Sequence, residues 1–154
     1  MLQLADIQHA QARLSSYLAP TILEHAPDLG DKIYLKLENT NRTHSFNIRG
    51  ALNAILSLDE AARQRGIVAA SSGNHAQGVA YAAQLVGANA TILMPKHTPK
   101  KKVQGVMRYG AEAALFGSTY DEAELEALHL VVEDSLTYVS PYNDPHVMAG
   151  AGTI

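Results

Sequence analysis

A buried strand running into a polar turn and then a helix is encoded by Ile67-Val68-Ala69-Ala70-Ser71-Ser72-Gly73-Asn74-His75-Ala76-Gln77-Gly78. The first four residues are wholly apolar, as in parallel strands that are buried on both faces. The helix that follows places Ala76, Val79, Ala80 and Ala83 on one face and ends near Gly87. Successive backbone N–H groups at such a helix start can hold an anion, although simple capping of the helix would need the same residues.

The same alternation of strand and helix extends along most of the chain. Short β-rich runs predict strands over residues 33–37, 67–70, 90–94, 111–116 and 136–139, and segments with helical periodicity separate the last four of them. Strands that alternate with helices imply right-handed crossovers and a parallel sheet. The predicted fold class is therefore α/β, with three layers: a parallel sheet and helices on both of its faces.

Residues 1–30 depart from this alternation. Ile7, Ala10, Leu14, Tyr17 and Leu18 share one face of a helix, and prolines at positions 20 and 27 bracket an irregular connection. The segment has an apolar face but no strand pattern. We expect an N-terminal helical flap without strands of its own.

Three helix starts are predicted from capping residues. Ser45 is the expected cap of the helix that contains residues 48–56. Thr98 is the expected cap of the helix that follows the strand predicted over residues 90–94, and Pro99 is expected at the first position of that helix. Thr119 and Glu122 form a capping-box pattern. The buried face of the helix after it is predicted to contain Ala123, Ala127, Leu128 and Val131.

Composition excludes several classes of protein. The chain has 154 residues, 47% of them hydrophobic, which is enough for one ordinary core. It has no cysteine, which excludes disulfides, thiol nucleophiles and cysteine zinc sites, and the spacing of its seven histidines suggests no metal site. No apolar run reaches the ~18 residues that a membrane helix needs, the N-terminus lacks the pattern of a signal peptide, and the net charge is −3. We expect a cytoplasmic protein that binds neither membranes nor nucleic acid.

A second polar joint, Glu38-Asn39-Thr40-Asn41-Arg42-Thr43-His44-Ser45-Phe46-Asn47-Ile48-Arg49-Gly50-Ala51, follows the first predicted strand. With the Ser71 loop it resembles the fold-type II pyridoxal-phosphate enzymes of the threonine/serine dehydratase and serine racemase family. That family carries K-x-E-x-x-Q-x-T-G-S-F-K-x-R-G-A and, one strand later, S-S-G-N-H-x-Q-G. Met94-Pro95 and Tyr109-Gly110-Ala111 extend the resemblance, which covers essentially the whole chain.

The resemblance implies a set of site residues. Ser71, Ser72, Gly73, Asn74 and His75 match the loop that holds the substrate carboxylate. Ser72 also matches the hydroxyl that serves as acid and base in racemases, and Asn74 the residue that binds the phenolic oxygen of the cofactor. Phe46 matches a cofactor-binding position. The implied cofactor is pyridoxal phosphate, and the implied ligand is a small amino acid or carboxylate.

Three positions depart from the family pattern. Asn47 stands where the family has the lysine that forms the Schiff base, and a carboxamide can neither form an imine nor act as a base near neutral pH. His44 replaces a glycine whose backbone is free to adopt positive φ, and Asn41 replaces a glutamine. Lys36 matches a family lysine that coexists with the catalytic one. We therefore expect covalent cofactor binding to be lost and the protein to be a pseudoenzyme.

The resemblance also implies the domain organisation. Residues 1–39 match part of a large domain, residues 40–145 a complete small α/β domain, and residues 146–154 the start of a truncated return to the large domain. The loop that binds the cofactor phosphate belongs to the part of the family pattern that this sequence lacks.

Three functions remain open at this stage. The first is an inactive, truncated threonine/serine dehydratase-like protein of amino-acid metabolism. The second is a module in which the Ser71–His75 loop binds a small carboxylate, or in which the exposed large-domain surface mediates self-association or recruits a partner. The third is one half of a split pyridoxal-phosphate dehydratase. A basic cluster of Lys96, Lys100, Lys101, Lys102 and Arg108 is interpreted as a solvated helix face.

Overall fold

The computed structural model describes residues 2–154. Its helices and strands are, in chain order, α1 (Leu4–Leu14), β1 (Leu23–His25), β2 (Tyr34–Lys36), α2 (Asn47–Ser57), α3 (Glu60–Arg65), β3 (Ile67–Ala70), α4 (Asn74–Val86), β4 (Ala90–Met94), α5 (Lys100–Met107), β5 (Glu112–Leu115), α6 (Tyr120–Glu133), β6 (Thr137–Tyr138) and α7 (Pro145–Ala151). Each of the five predicted strands is present, with ends that differ by at most one residue from prediction. None of the helices within residues 2–154 has the length and apolar character needed to cross a membrane.

The central sheet has four parallel strands in the order β5-β4-β3-β6. The chain moves outward from β3 to β4 and β5 and then returns to the other side of β3, where β6 pairs with it. Connections on the two sides of β3 therefore run in opposite directions, which makes the carboxyl ends of β3 and β6 the topological switch point of the sheet. Open α/β sheets bind their ligands at such a point.

The two faces of the sheet pack against different helices. Ile67 and Ala69 of β3 point into the larger core, which α2, α4 and α5 complete, whereas Val68 and Ala70 point to the opposite face and pack near α6. This alternation confirms the predicted three-layer α/β fold. Leu128 is 42% exposed, so its predicted burial is wrong; it lies one residue beyond buried Ala127, which turns it away from the sheet.

The N-terminal segment contains more structure than predicted. Helix α1 buries Ala10 and Leu14 against α2 and α7, but β1 and β2 then pair as an antiparallel hairpin. The prediction of a flap without strands is wrong, because strands of only three residues leave no periodic pattern to detect. Helix α1 and the large core meet directly through Leu14. The domain boundaries at residues 39/40 and 145/146 stay predictions.

The hairpin carries exposed apolar side chains. Leu23, Tyr34 and Leu35 are each more than 40% exposed. Apolar patches of this kind mark association surfaces in many proteins. The expectation of self-association or a partner at this surface stays a prediction.

Helices α2 and α7 cross with their backbones in close contact. A Cβ atom added to Gly50 would lie 2.7 Å from the carbonyl oxygen of Val147, and one added to Gly150 would meet the carbonyl oxygen of Arg49. Only glycine permits this approach. The Arg-Gly-Ala sequence at the start of α2 thus fixes the position of that helix against the C-terminal helix.

The helix starts differ from the predictions in two of three cases. The capping box of Thr119 and Glu122 is confirmed. Helix α2 begins after Phe46 without a side-chain cap, and α5 begins after Pro99, so Ser45 and Thr98 are not caps. Helix α3 was not predicted; the carboxylate of Asp59 caps it by accepting the N–H of Ala62 at 2.7 Å.

Candidate functional site

The loop between β3 and α4 lies at the carboxyl edge of the sheet, at the switch point between β3 and β6. The N–H of Ser71 donates to the carbonyl oxygen of Leu93 at 3.1 Å and so prolongs the pairing of β3 with β4. The Ser71 hydroxyl accepts the N–H of Gly73 at 3.2 Å, which closes a tight turn. The loop is thereby held in place by the sheet on one side and by its own hydroxyl on the other.

The start of α4 leaves backbone donors free. Gly73 is the N-cap residue, and no side chain caps the helix. The N–H groups of a first helical turn have no partner within the helix, and they carry the positive end of its dipole. A Cβ added to Gly73 would have no atom within 4 Å, so there is open space beside these donors. The arrangement is suited to a small anion, and the role of residues 71–75 in holding a carboxylate stays a prediction.

The His75 side chain does not face this open space. The ring is buried, and its Nε2–H donates to the carbonyl oxygen of Val139 at 3.0 Å, which ties α4 to the end of β6. Burial lowers the pKa of His75, although this hydrogen bond and the charge of Asp144 act in the opposite direction. The imidazole therefore ties α4 to β6, and only the backbone N–H of His75 is available to a ligand.

Asn47, the first residue of α2, lies against the same helix. A Cβ added to Gly78 would be 3.2 Å from the carbonyl carbon and oxygen of Asn47, so the backbones of α2 and α4 pass close to each other at this crossing. Gly78 and Asn74 are four residues apart and share one face of α4. The structure thus brings Asn47 and the loop of residues 71–75 to one region, and the Asn47 carboxamide has no hydrogen-bond partner within residues 2–154.

The loop before α2 keeps a left-handed residue where the family pattern has glycine. His44 has φ of 55°, and its Nδ1–H donates to the carbonyl oxygen of Asn39 at 3.2 Å. A side chain at positive φ costs about 1–2 kcal/mol. The substitution of glycine is therefore accommodated without a change in the sign of φ, at a cost in stability.

A buried ion pair between Glu38 and Arg49 stabilises the loop before α2. Arg49 donates to both carboxylate oxygens of Glu38, from Nε at 2.7 Å and from a terminal nitrogen at 2.9 Å. Glu38 also accepts from the hydroxyl of Thr21 at 2.5 Å and from the amide of Asn41 at 2.7 Å. Asn41, which replaces the glutamine of the family pattern, therefore still supplies an amide donor.

The contacts of Glu38 with Arg49, Thr21 and Asn41 determine the direction in which its pKa is shifted. Burial alone would raise the pKa of Glu38, but the hydrogen bonds and charge of Arg49, with help from Thr21 and Asn41, lower it below its usual range. The Glu38 carboxylate is therefore ionised at neutral pH. Sequence reasoning assigned no role to Glu38 or Arg49, although their places in the K-x-E and R-G-A parts of the pattern were a usable signal.

Two hydroxyls of the same loop are buried without partners. Thr43 Oγ1 and Ser45 Oγ make no hydrogen bond within residues 2–154. Unpaired buried hydroxyls cost free energy and are uncommon in folded proteins. The loop that carries Asn47 thus retains unused polar groups close to the position of the lost lysine.

The residues at this site do not fit covalently bound pyridoxal phosphate. Asn47 has no amine, and Lys36 is engaged elsewhere, because its Nζ donates to the carbonyl oxygen of Thr21 at 2.8 Å. Phe46 is 46% exposed and Asn74 is exposed, so a ring face and an amide remain for non-covalent contacts.

Comparison with known proteins places these features in a family. A model of the family "Pyridoxal-phosphate dependent enzyme" matches residues 14–154. L-threonine ammonia-lyase of Thermotoga maritima is 48% identical over 158 residues, which cover 100% of this chain and 39% of that protein. The corresponding enzyme of Geobacter sulfurreducens is 44% identical, with the same coverage.

Solved structures agree. Threonine deaminase isoform 2 from Solanum lycopersicum superposes with a TM-score of 0.88 and 36% identity, covering 99% of this chain and 44% of that one. Maize serine racemase gives a TM-score of 0.94 and 32% identity, covering 99% and 47%. The chain thus spans less than half the length of these relatives. By the family match and the shared fold, it belongs to the pyridoxal-phosphate dependent enzymes of fold-type II.

Proposed function

We propose that this chain is a threonine/serine dehydratase-like protein in which the residues present cannot carry out the lyase reaction, so that it acts as a pseudoenzyme of amino-acid metabolism. The observation that carries the proposal is Asn47, whose side chain lacks an amine and lies at the start of α2, beside Gly78 of α4. A carboxamide offers neither a nucleophilic nitrogen nor a base near neutral pH.

Activity assays of the 154-residue chain test this proposal. The purified protein, supplied with pyridoxal phosphate, should form neither 2-oxobutanoate from threonine nor pyruvate from serine. Borohydride reduction should leave no cofactor attached to the protein. Turnover above that of a Ser72→Ala variant would contradict the proposal.

The Asn47→Lys variant tests the same proposal by introducing an amine at residue 47. An amine at the start of α2 should permit a covalent adduct with pyridoxal phosphate, which borohydride would trap on residue 47. Mass spectrometry of the peptide that contains residue 47 provides the measurement. Attachment to Lys36 in the wild-type chain would instead show that another lysine replaces the missing one.

A second function is supported by the loop of residues 71–75. Uncapped donors at the start of α4 and the open space beside Gly73 favour binding of a small carboxylate. Calorimetric titration with L-threonine and with propionate should give saturable binding, and Gly73→Ala should weaken it because the new methyl group occupies the open space. Equal binding by the wild-type protein and Gly73→Ala would contradict this function.

A further inference from the structure

A cleft of about 420 Å³ lies between α1, α2 and α7. Three side chains of α1 line it, those of Asp6, His9 and Arg13, which follow one another at intervals of three and four residues and so share one face of the helix. Asn53 of α2 and the start of α7 form the other walls. Clefts of this size commonly bind small molecules. Among the described residues, none that lines this cleft belongs to the loops before α2 and α4, so it is separate from the candidate site above.

The Arg13 guanidinium is held in the cleft by a buried amide. Asn53 is only 1% exposed, and its Oδ1 accepts a hydrogen bond from Nη1 of Arg13 at 2.5 Å. The amide nitrogen of Asn53 donates to the carbonyl oxygen of His146 at 2.8 Å. The amide that orients Arg13 is thus itself attached to α7, and the guanidinium is fixed where the three helices meet.

The charge of Arg13 has no counterion among residues 2–154. No carboxylate of these residues lies within 4.0 Å of the guanidinium, although the Asp6 side chain lines the same cleft. A guanidinium has five N–H donors, and in the described part of the chain only the donor to Asn53 is used. Arg13 is half-buried, so the fixed charge and its remaining donors are partly shielded from water. A carboxylate matches such a planar set of donors.

Asp6 supplies a negative charge in the same cleft. It precedes Arg13 by seven residues, about 10 Å along the helix axis. Its Oδ2 accepts the N–H of Gln3 at 2.8 Å, whereas its Oδ1 has no hydrogen-bond partner within residues 2–154. No cationic side chain of those residues lies within 4.0 Å of this carboxylate. The cleft therefore keeps one positive and one negative group apart, and a ligand that carries both charges can neutralise the two together.

The remaining wall of the cleft is apolar. It consists of Leu2, Pro145, Met148 and Ala149. Met148 is 46% exposed although its helix packs against α1 and α2, so much of its side chain is uncovered. A flexible methionine side chain can adapt to apolar ligands of different shapes. The wall is suited to a hydrocarbon group beside the two charges.

We propose that this cleft binds a free α-amino acid with an apolar side chain. Arg13 binds the carboxylate of the amino acid, Asp6 binds its ammonium group, and Met148 and Pro145 contact its side chain. The opposite charges of the cleft match a zwitterion better than they match an anion or a cation alone, because each charged group of the ligand meets a group of opposite sign.

Calorimetric titration of the 154-residue chain with L-leucine tests the proposal, because leucine carries both charges and an apolar side chain. Binding should be saturable, and amide shifts in NMR spectra should centre on residues 6–13 and 145–149. Two analogues each lack one charge: 4-methylpentanoate has no ammonium group, and isoamylamine has no carboxylate. Each should bind about tenfold more weakly than leucine, the effect of losing one hydrogen bond to a charged group.

Variants assign the two charges to their residues. Arg13→Gln keeps a donor for Asn53 and should raise the dissociation constant for L-leucine about tenfold. Asp6→Asn keeps an acceptor for the N–H of Gln3; it should raise the dissociation constant for L-leucine and leave that for 4-methylpentanoate unchanged. The matched control is Arg63→Gln on α3, because Arg63 is also half-buried and has no carboxylate within 4.0 Å among residues 2–154. This control should bind L-leucine as the wild-type protein does.

The Gly73→Ala variant separates this site from the loop of residues 71–75 and should keep the binding of L-leucine. Loss of binding in Gly73→Ala would overturn the proposal and assign the amino acid to that loop. The proposal would also be overturned by an absence of saturable binding, or by 4-methylpentanoate binding as tightly as L-leucine. Wild-type affinity in Arg13→Gln, with an intact fold by circular dichroism, would overturn it as well. None of these results bears on the pseudoenzyme proposal, which depends on Asn47.

Discussion

Helices α2 and α4 start in different ways, although both lack a side-chain cap and both lie at the candidate site. The loop before α2 is fastened by the buried Glu38–Arg49 pair and its hydrogen bonds. The loop before α4 leaves the donors of the first turn free beside open space. The difference separates residues that hold the fold from residues that a ligand can reach, although both belong to the same family pattern.

The comparison predicts very different costs of mutation in the two loops. Glu38→Ala leaves the Arg49 guanidinium buried without its carboxylate, and breaking a buried pair in this way costs about 3–5 kcal/mol. Ser72→Ala removes a hydroxyl that makes no hydrogen bond to a side chain, and should change the free energy of unfolding by less than about 0.5 kcal/mol. Urea denaturation of both variants gives the two values. Equal losses of unfolding free energy in the two variants would contradict the distinction between a loop that stabilises the fold and a loop that a ligand can reach.

Gly50 in α2 and Gly73 before α4 test the same distinction between residues that stabilise the fold and residues that a ligand can reach. Gly50→Ala places a methyl group 2.7 Å from the carbonyl oxygen of Val147, and such overpacking should cost about 1–3 kcal/mol of unfolding free energy. Gly73→Ala meets no atom within 4 Å and should leave stability nearly unchanged while weakening carboxylate binding. Thermal unfolding and ligand titration of both variants separate the two effects. A Gly73→Ala variant as unstable as Gly50→Ala would show that the second loop is also closely packed.

His75 belongs to the second loop by sequence but to the scaffold by structure. His75→Phe keeps a ring but leaves the Val139 carbonyl without its donor, and should cost about 1–2 kcal/mol at pH 7.5. The measurement is urea denaturation at pH 7.5 and at pH 5.5.

The contribution of His75 to the free energy of unfolding should decrease as the pH falls. Burial lowers the pKa of His75, so the unfolded chain binds its proton first as the pH falls. This stabilisation is complete above the unfolded pKa of about 6.5 and is lost as the pH drops below it. The loss between pH 7.5 and 5.5 should be smaller in His75→Phe. An unchanged pH dependence would assign the effect to other groups.

The sequence predicted the fold because its strongest signals are local. The apolar run of residues 67–70 and the periodic segments between strands are set by burial, and all five predicted strands are present. The hairpin partner β1 was missed because its three exposed residues carry no alternation of apolar and polar side chains. Helix α3 was missed because it is only six residues long and its start depends on a single capping carboxylate, that of Asp59.

The site was predicted in position more fully than in chemistry. Family resemblance located Asn47 and the loop of residues 71–75, and the crossing at Gly78 puts α2 beside that loop. It could not reveal that the ring of His75 turns to Val139, since this depends on a contact between residues 64 positions apart. The Glu38–Arg49 pair was missed for a different reason: the two residues are only 11 positions apart and both belong to the family pattern, but their spacing alone does not distinguish an ion pair from two surface charges.

The smallest expected effect concerns the strained residue of the first loop. His44→Gly should raise the free energy of unfolding by about 0.5–1 kcal/mol, because glycine adopts positive φ without the steric cost but loses more entropy on folding. Ser135→Gly is the matched control, since Ser135 has φ of 57° and lies between α6 and β6, far along the chain from α2. Urea denaturation measures both gains. Equal gains would mean that the cost at His44 is backbone strain alone. A loss of stability in His44→Gly beside a gain in Ser135→Gly would show instead that the hydrogen bond from the His44 ring to Asn39 outweighs the strain. That hydrogen bond would then be one of the contacts that hold the loop in place.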